Sequence, residues 1–301
     1  MDRDPIRGAP VDGDTRRDPE RSESVTRDVG RKYGCELAVV TVARSGRPDV
    51  DRLAATVSTP APRPVRVVLT VVADATTVVD DPGVGVEVLR LAEDIGRPAA
   101  INRAVAGLDA EVGWVLIADP AVRWDADVLD GLLAAAARYP RAGLIGPRLR
   151  DAAGSVLPSA GALPSTTQAL RGRIPVGAGA GPTGWLATSC VLLRRAAWDS
   201  VDGFDPRYLD TAGPVDMADV DLADRLLRAG WLVVHAPGVE VAAGARNGDG
   251  VLATPVDGLR RYVSARSGAP ARLLLALATR SGAVTGRNAA VRNTATRKTE
   301  S

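Results

Sequence analysis

Three aspartates stand where a carboxylate can do chemistry. Asp119 follows the apolar run Trp114-Val115-Leu116-Ile117-Ala118 and precedes Pro120 and Ala121. An acid at the carboxyl end of a buried strand can hold a divalent cation against a diphosphate, a task commonly shared by two acids spaced Asp-x-Asp. The second position is Ala121 here, so Asp119 is either half of such a pair or not part of a metal site at all. Asp74 follows Leu69-Thr70-Val71-Val72-Ala73. It reads either as a turn acid or as an acceptor for hydrogen bonds from a nucleobase or ribose. Asp219 opens "DVDLADRLLRAGW" and on spacing alone reads as a helix N-cap, where a carboxylate accepts from free backbone N–H groups. Asp221 and Asp224 then add favourable charge to the first turns.

Other chemistries are excluded by count or context. The chain has one histidine, His235, so a multi-histidine metal site or a histidine-based triad across the chain is ruled out. His235 ends an apolar run and is expected to be packed. The two cysteines, Cys35 and Cys190, lie far apart without a Cys-x-x-Cys partner and read as inert core thiols. The stretch "VGAGAGPTG" (Val176 to Gly184) lacks the strand-turn-helix context of a dinucleotide fingerprint and reads as a loop. A net charge of +2 is too balanced to argue for nucleic acid.

These residues need a scaffold. Aromatics are only 3% of the chain, so the core must be aliphatic. Apolar runs predict strands at "CELAVVTVA", "VRVVLTVVA" (Val65 to Ala73), "VEVLRL" (Val86 to Leu91), "GWVLIA" and "RAGLIGP". Helical spacing is seen over Asp49 to Val57, Pro98 to Leu108 and Asp125 to Tyr139. Strand-helix alternation with near-continuous apolar strands implies an α/β fold, a mostly parallel sheet covered on both faces. Ligands of such sheets bind beyond the strands' carboxyl ends. The candidates there are the turn Ala43-Arg44-Ser45, Asp74 and Asp119.

Residues 1–33 mix both charges without apolar periodicity and are expected to be a disordered tail. The ordered region is expected over 34–285: a first half to about 150, a second over about 151–250, and basic amphipathic helices over about 254–285. A polar basic tail follows over 286–301. Asp151 to Gly184 reads as loops around short strands. "TSCVLLRRAAW" reads as a strand passing into a helix, and "LVVHAPGVEVAA" as one or two strands. The amino terminus has no apolar h-region, and the longest aliphatic run, Leu273 to Ala278, falls short of the roughly 20 residues of a membrane span. A cytoplasmic protein is expected. The basic helices (Arg260, Arg261, Arg266, Arg272, Arg280) suit either a solvated face or the anionic inner face of the plasma membrane.

The order of several segments carries a resemblance. "ELAVVTVARSGRPDVDRL", "GRPAAINRAVAGL", "GWVLIADPAVRW", "YPRAGLIGPRLRDAAGSVLPSAGALPS", "GWLATSCVLLRRAAWDSVDGFDPRY", "DVDLADRLLRAGW" and "VVHAPGVEV" succeed one another. This order resembles family 2 inverting glycosyltransferases, and most of all actinobacterial rhamnosyltransferases that use dTDP-rhamnose and polyprenyl-diphosphate-linked N-acetylglucosamine. It spans roughly Leu37 to Ala283. The resemblance implies a GT-A fold, with a nucleotide-binding half and a smaller acceptor half around one sheet. It implies a donor site with Ala43, Arg44, Asp74, Gly96, Asn102, Arg103 and Asp119, and an acceptor loop with Trp185, Ala187 and Thr188. It places Asp219 at the second acid of Glu-Asp-Val-Asp-Leu, the family's general base. It implies a dTDP- or UDP-sugar donor and a polyprenyl-diphosphate glycan acceptor. The mechanism is then a single displacement at the anomeric carbon, aided by stabilisation of the leaving diphosphate.

Several positions depart from the family pattern. Ala121 replaces a metal-binding acid, Ala218 the Glu before the base, and Ala243 a histidine of the metal or diphosphate site. Ala75 replaces an Asn, and Arg44 an aromatic residue. Magnesium or manganese needs several oxygen ligands, and Asp119 alone remains of that set. Asp125 and Asp127 read as helix-capping acids. Two readings follow: an active transferase in which Arg44, Arg97 or Arg246 partly replaces the metal, or a catalytically degenerate relative acting as a binding or regulatory partner.

Overall fold

The computed structural model describes residues 36–43, 65–72, 86–123, 125, 127–171, 173–208, 215–243 and 256–266. Both expected tails, the helix expected over Asp49 to Val57 and the second basic helix lie outside the described residues. So do Cys35, Arg44, Asp74, Ala75 and Arg246.

Four parallel strands form one side of the sheet: β1 (Glu36–Ala43), β2 (Val65–Val72), β3 (Val86–Leu91) and β4 (Val112–Ala118), in the order β3-β2-β1-β4. Val39, Val40, Val115, Leu116 and Ile117 are all buried. Consecutive residues of a strand face opposite sides, so uninterrupted burial means both faces are covered. Helix α1 (Arg97–Ala106) packs over β1 and β2. It has Pro98 in its first turn, where the lost N–H has no helical partner anyway. It buries Ala100, Ile101, Ala104 and Val105, a stripe at helical spacing.

The sheet continues with β5 (Ala142–Arg150), parallel to β4 in direction but not adjacent to it. Strand β9 (Cys190–Arg194) lies between them and runs antiparallel to both. This reversal decides the site. The beginning of β9 lies beside the end of β4, with Cys190 opposite Ala118. The chain entering β9 is therefore delivered to the strand-end crevice. Strand-helix alternation predicts a mostly parallel sheet, and β9 adds an antiparallel strand that alternation does not reveal.

Beyond β5 lies β10 (Leu232–Ala242), parallel to it, with a register shift between Ala236 and Glu240. Pro237 sits in that interval and cannot donate to a ladder. Helix α2 (Asp127–Arg138) covers β5 and β10, burying Val128, Leu132 and Ala136 one turn apart. Gly131 permits this approach, because a Cβ there would stand 2.6 Å from Val239.

The second half has short pieces, as its composition suggests. β6 (Ala160–Gly161) pairs with β8 (Trp185–Leu186), and β7 (Gly181–Pro182) lies along β10. Helix α3 (Thr166–Leu170) begins with a reciprocal capping box between Ser165 and Gln168. Helix α4 (Arg195–Asp199) follows β9 directly, and α6 (Val256–Arg266) packs on α5 (Met217–Arg228). His235 is buried, with Nδ1 3.1 Å from the Gly179 carbonyl, as its apolar neighbours suggest.

Candidate active site

Asp119 is the first residue beyond β4. Its N–H donates to the Ser189 carbonyl at 2.8 Å, continuing the β4–β9 ladder by one residue. The Val122 N–H returns to the Asp119 carbonyl at 3.0 Å, closing a turn through Pro120 and Ala121. Arg123 then exchanges backbone hydrogen bonds with Ala242, at 2.7 and 3.0 Å. The end of β10 thus lies along the Asp119 turn, and positions 121 and 243 belong to the same corner. Both positions, which the resemblance associates with a metal, carry methyl groups.

Arg97, the first residue of α1, fills the space beside Asp119. Its Nε donates to Asp119 Oδ1 at 3.0 Å, and its Nη2 lies 2.9 Å from the same oxygen. Nη1 donates to Thr188 Oγ1 at 2.8 Å and Nη2 to the Thr188 carbonyl at 2.7 Å. Thr188 passes the contact on. Its hydroxyl donates to Asp219 Oδ1 at 2.6 Å and its N–H to Asp219 Oδ2 at 3.0 Å. Asp119, Arg97, Thr188 and Asp219 form one continuous polar array. They come from β4, α1, the entry to β9 and α5.

The electrostatics follow from that arrangement. Burial acts to lower the Arg97 pKa, but attraction to Asp119, Asp219 and Asp216, with the Asp119 hydrogen bond, raises it overall. The guanidinium is held firmly charged. Cys190 lies next to the array, and burial, joined by the Asp119 charge, pushes its thiol well up. Buried cysteine is unreactive, as its isolation in the sequence suggests.

Asp219 does not cap its helix. Helix α5 begins at Met217, and Asp216 is the N-cap, accepting from the Ala218 N–H at 3.0 Å. Asp219 lies one turn in and points across to Thr188, with only 1% of the residue exposed. Spacing identified the right region and the wrong cap. The helix starts two residues earlier, at Met217, and Asp216 takes the free N–H. Asp221 and Asp224 are also committed. Asp221 pairs with Arg225 at 2.7 Å, and Asp224 with Arg228 at 2.8 Å and Arg266 at 3.3 Å.

The remaining described candidates have other partners. Ala43 ends β1, two strands of the sheet away from β9. Asn102 Oδ1 accepts from the Phe204 N–H at 2.9 Å and its Nδ2 donates to the Phe204 carbonyl at 2.8 Å. It clamps the loop after α4, where the Phe204 ring meets Trp198 edge-on at 5.4 Å. Arg103 is exposed on α1. Trp185 is fully buried, its indole N–H donating to the Pro175 carbonyl at 2.9 Å. Ala187 is buried and donates to the Ser159 carbonyl. Asp127 opens α2 and Asp125 precedes it, with its carbonyl accepting from Val128. Neither the Asp216 cap nor the Thr188–Asp219 pairing was visible as a motif. The three-residue interval from Asp216 to Asp219 is the signal that could have located the cap.

A magnesium or manganese ion needs several oxygen donors. Among the described residues, no group of three or more His, Cys, Asp or Glu is placed to hold one. Asp119 is ion-paired to Arg97, and Ala121 and Ala243 have no side-chain donor. The described residues do not fit a divalent metal site.

This sheet, with its strand-end acid beside a crossing antiparallel strand, is the GT-A glycosyltransferase fold. The solved structure of GalNAc-T7 with UDP, GalNAc and Mn2+ superposes with a TM-score of 0.54 at 14% identity, covering 76% of this chain and 47% of that one. The chain thus spans about half the length of that enzyme. The mannosyltransferase PcManGT of Pyrobaculum calidifontis, solved with GDP-Man and Mn2+, gives a TM-score of 0.49 at 15% identity, covering 84% of this chain and 76% of that one. No family model matches. Sequence relatives are more specific. The N-acetylglucosaminyl-diphospho-decaprenol L-rhamnosyltransferases of Mycobacterium tuberculosis strains CDC 1551 / Oshkosh and ATCC 25618 / H37Rv are each 37% identical over 239 residues, 68% of this chain and 75% of the relative. The chain belongs to the glycosyltransferase family of these rhamnosyltransferases.

Proposed function

We propose that this glycosyltransferase transfers the sugar of a nucleotide donor, L-rhamnose from dTDP-rhamnose or the corresponding sugar of a UDP-sugar, to a polyprenyl-diphosphate-linked N-acetylglucosamine, with inversion at the anomeric carbon. The observation that carries the reading is the Thr188–Asp219 pair at the sheet's ligand-binding edge, in a chain 37% identical to rhamnosyltransferases of that acceptor. The acceptor hydroxyl needs a base as it attacks, and Asp219 is that base. Thr188 orients its carboxylate, and Arg97 contributes positive charge at the leaving diphosphate. The donor half is about 34–150, with Ala43, Arg44, Asp74, Asn102, Arg103 and Asp119 at or behind the nucleotide. The acceptor half is about 151–250, with Thr188 and Trp185 shaping the acceptor loop.

The enzyme works at the inner face of the plasma membrane, where a polyprenyl acceptor is found. The basic segment from about 254, which begins with α6, supplies the surface contact. Among the described residues, no helix is long and apolar enough to cross a membrane. The test is direct: the full chain is incubated with dTDP-rhamnose and a short-chain polyprenyl-diphosphate N-acetylglucosamine, and the disaccharide is detected by mass spectrometry. Its formation supports the reading. Its absence with each of dTDP- and UDP-sugars overturns it. The burial of Asp219 favours a second reading, a binding or regulatory partner without turnover. That reading requires nucleotide or glycan binding in the absence of product.

A further inference from the structure

The Asp119 corner presents a problem of charge. A pair of bare strand-end carboxylates repels a diphosphate, and a divalent ion must reverse the sign before donor can bind. Here the corner holds one carboxylate, and Arg97 is already on it through contacts of 3.0 and 2.9 Å. Arg97 offsets the Asp119 charge at the corner itself, while Asp219 and Asp216 attract the guanidinium from behind. The neighbouring positions that the fold brings to the corner, Ala121 and Ala243, add no charge. Arg123, exposed and four residues after Asp119, adds a positive one to the same turn.

We propose that Arg97 is the resident cation of this site, and that the chain binds the diphosphate of its nucleotide donor without a divalent metal. The inference deepens the transferase reading and rests on it. Three observations carry it. The guanidinium is fixed on both sides, by Asp119 and by the hydroxyl and carbonyl of Thr188. A cation so held needs no recruitment from solution. Its side chain is still 13% exposed, so a diphosphate can meet its charge although these hydrogen bonds go to Asp119 and Thr188. The same guanidinium contacts the threonine that holds Asp219, so one side chain links the donor corner to the base.

The test is calorimetric titration of dTDP and UDP into the full chain, once in EDTA and once in Mn2+. The proposal expects the tighter nucleotide to bind with dissociation constants agreeing within about two-fold in the two buffers. A requirement for Mn2+ overturns it and leaves the transferase reading standing. Binding of neither nucleotide in either buffer sinks both. Two variants sharpen the result. Arg97→Gln is expected to weaken binding at least ten-fold in both buffers. Because Arg97 is buried among acids, its loss can also harm folding, so the second variant is Ala121→Asp, at an exposed position. It restores the second acid and should weaken binding in EDTA at least five-fold, with recovery in Mn2+. An Ala121→Asp protein that binds as wild type in EDTA contradicts the placement of the diphosphate at this corner.

Discussion

Thr188 gives both of its donors to one carboxylate: its N–H meets Asp219 Oδ2 at 3.0 Å and its hydroxyl meets Oδ1 at 2.6 Å. A carboxylate held at both oxygens has one orientation. The holding residue is the last but one before β9, so the antiparallel strand fixes the geometry of the proposed base.

Thr188→Val tests that dependence. The substitution keeps shape and backbone N–H and removes the hydroxyl that bridges Arg97 and Asp219. A buried charged group deprived of a hydrogen bond loses about 1–3 kcal/mol. We expect turnover to fall roughly ten-fold or more on that scale, with nucleotide affinity changed far less, and Thr188→Ser to recover most of it. Steady-state kinetics with varied donor separates kcat from KM. Equal damage in the Ser and Val variants points to packing instead.

Asn102→Ala tests the loop clamp. Both carboxamide atoms serve the Phe204 backbone, and the loop also needs Gly203, whose φ is +66° and whose added Cβ would meet Trp198 at 2.5 Å. Removing the amide leaves two backbone groups short of partners, at a cost of about 1–3 kcal/mol. Gly203→Ala adds left-handed strain and a clash. Urea unfolding should show both variants destabilised. A midpoint unchanged from wild type in Asn102→Ala contradicts the clamp.

The acid limb of stability has an identifiable contributor. Arg150, with Arg148, holds the Glu240 carboxyl down to about 2 from 4.5. Its folded pKa lies below the unfolded one, so its contribution is complete above pH 4.5 and is lost as pH falls towards 2. In Glu240→Gln, stability should fall less steeply across that window. The pair is exposed, so the effect is modest and weakens with salt. Urea titrations at several pH values check it; identical slopes for variant and wild type count against it.

Cys190 should be chemically silent. It is fully buried, and both burial and the Asp119 charge disfavour its thiolate. In a Cys35→Ser background, a disulfide reagent should leave the native protein untouched at pH 8 and react with one thiol after denaturation. Rapid native reaction contradicts this burial.

What was legible in the sequence has a physical pattern. The strands around Val39, Leu116 and Ile145 were readable because burial on both faces leaves no polar interruption. Helix α2 was readable because Val128, Leu132 and Ala136 recur each turn. Asp119 was found because a strand end is a local feature. The Arg97–Asp119 pair joins residues 22 apart, and Thr188–Asp219 joins residues 31 apart through an antiparallel strand. Neither is a spacing rule. Arg97 was only one of three candidate arginines until the sheet order placed it. Spacing alone reads Asp219 as a cap, because local pattern cannot see that Asp216 already fills that place; its reading as a base came from the resemblance.

The central claim is that Asp219 is the base of a working transferase. The most direct measurement is rhamnosyl transfer by Asp219→Asn against wild type, with nucleotide affinity measured on the same samples. Asn keeps the size of the side chain and removes its basicity. The account predicts a fall of roughly 100-fold or more in turnover, with nucleotide affinity within about two-fold. An Asp219→Asn protein that transfers sugar at a rate near wild type contradicts it.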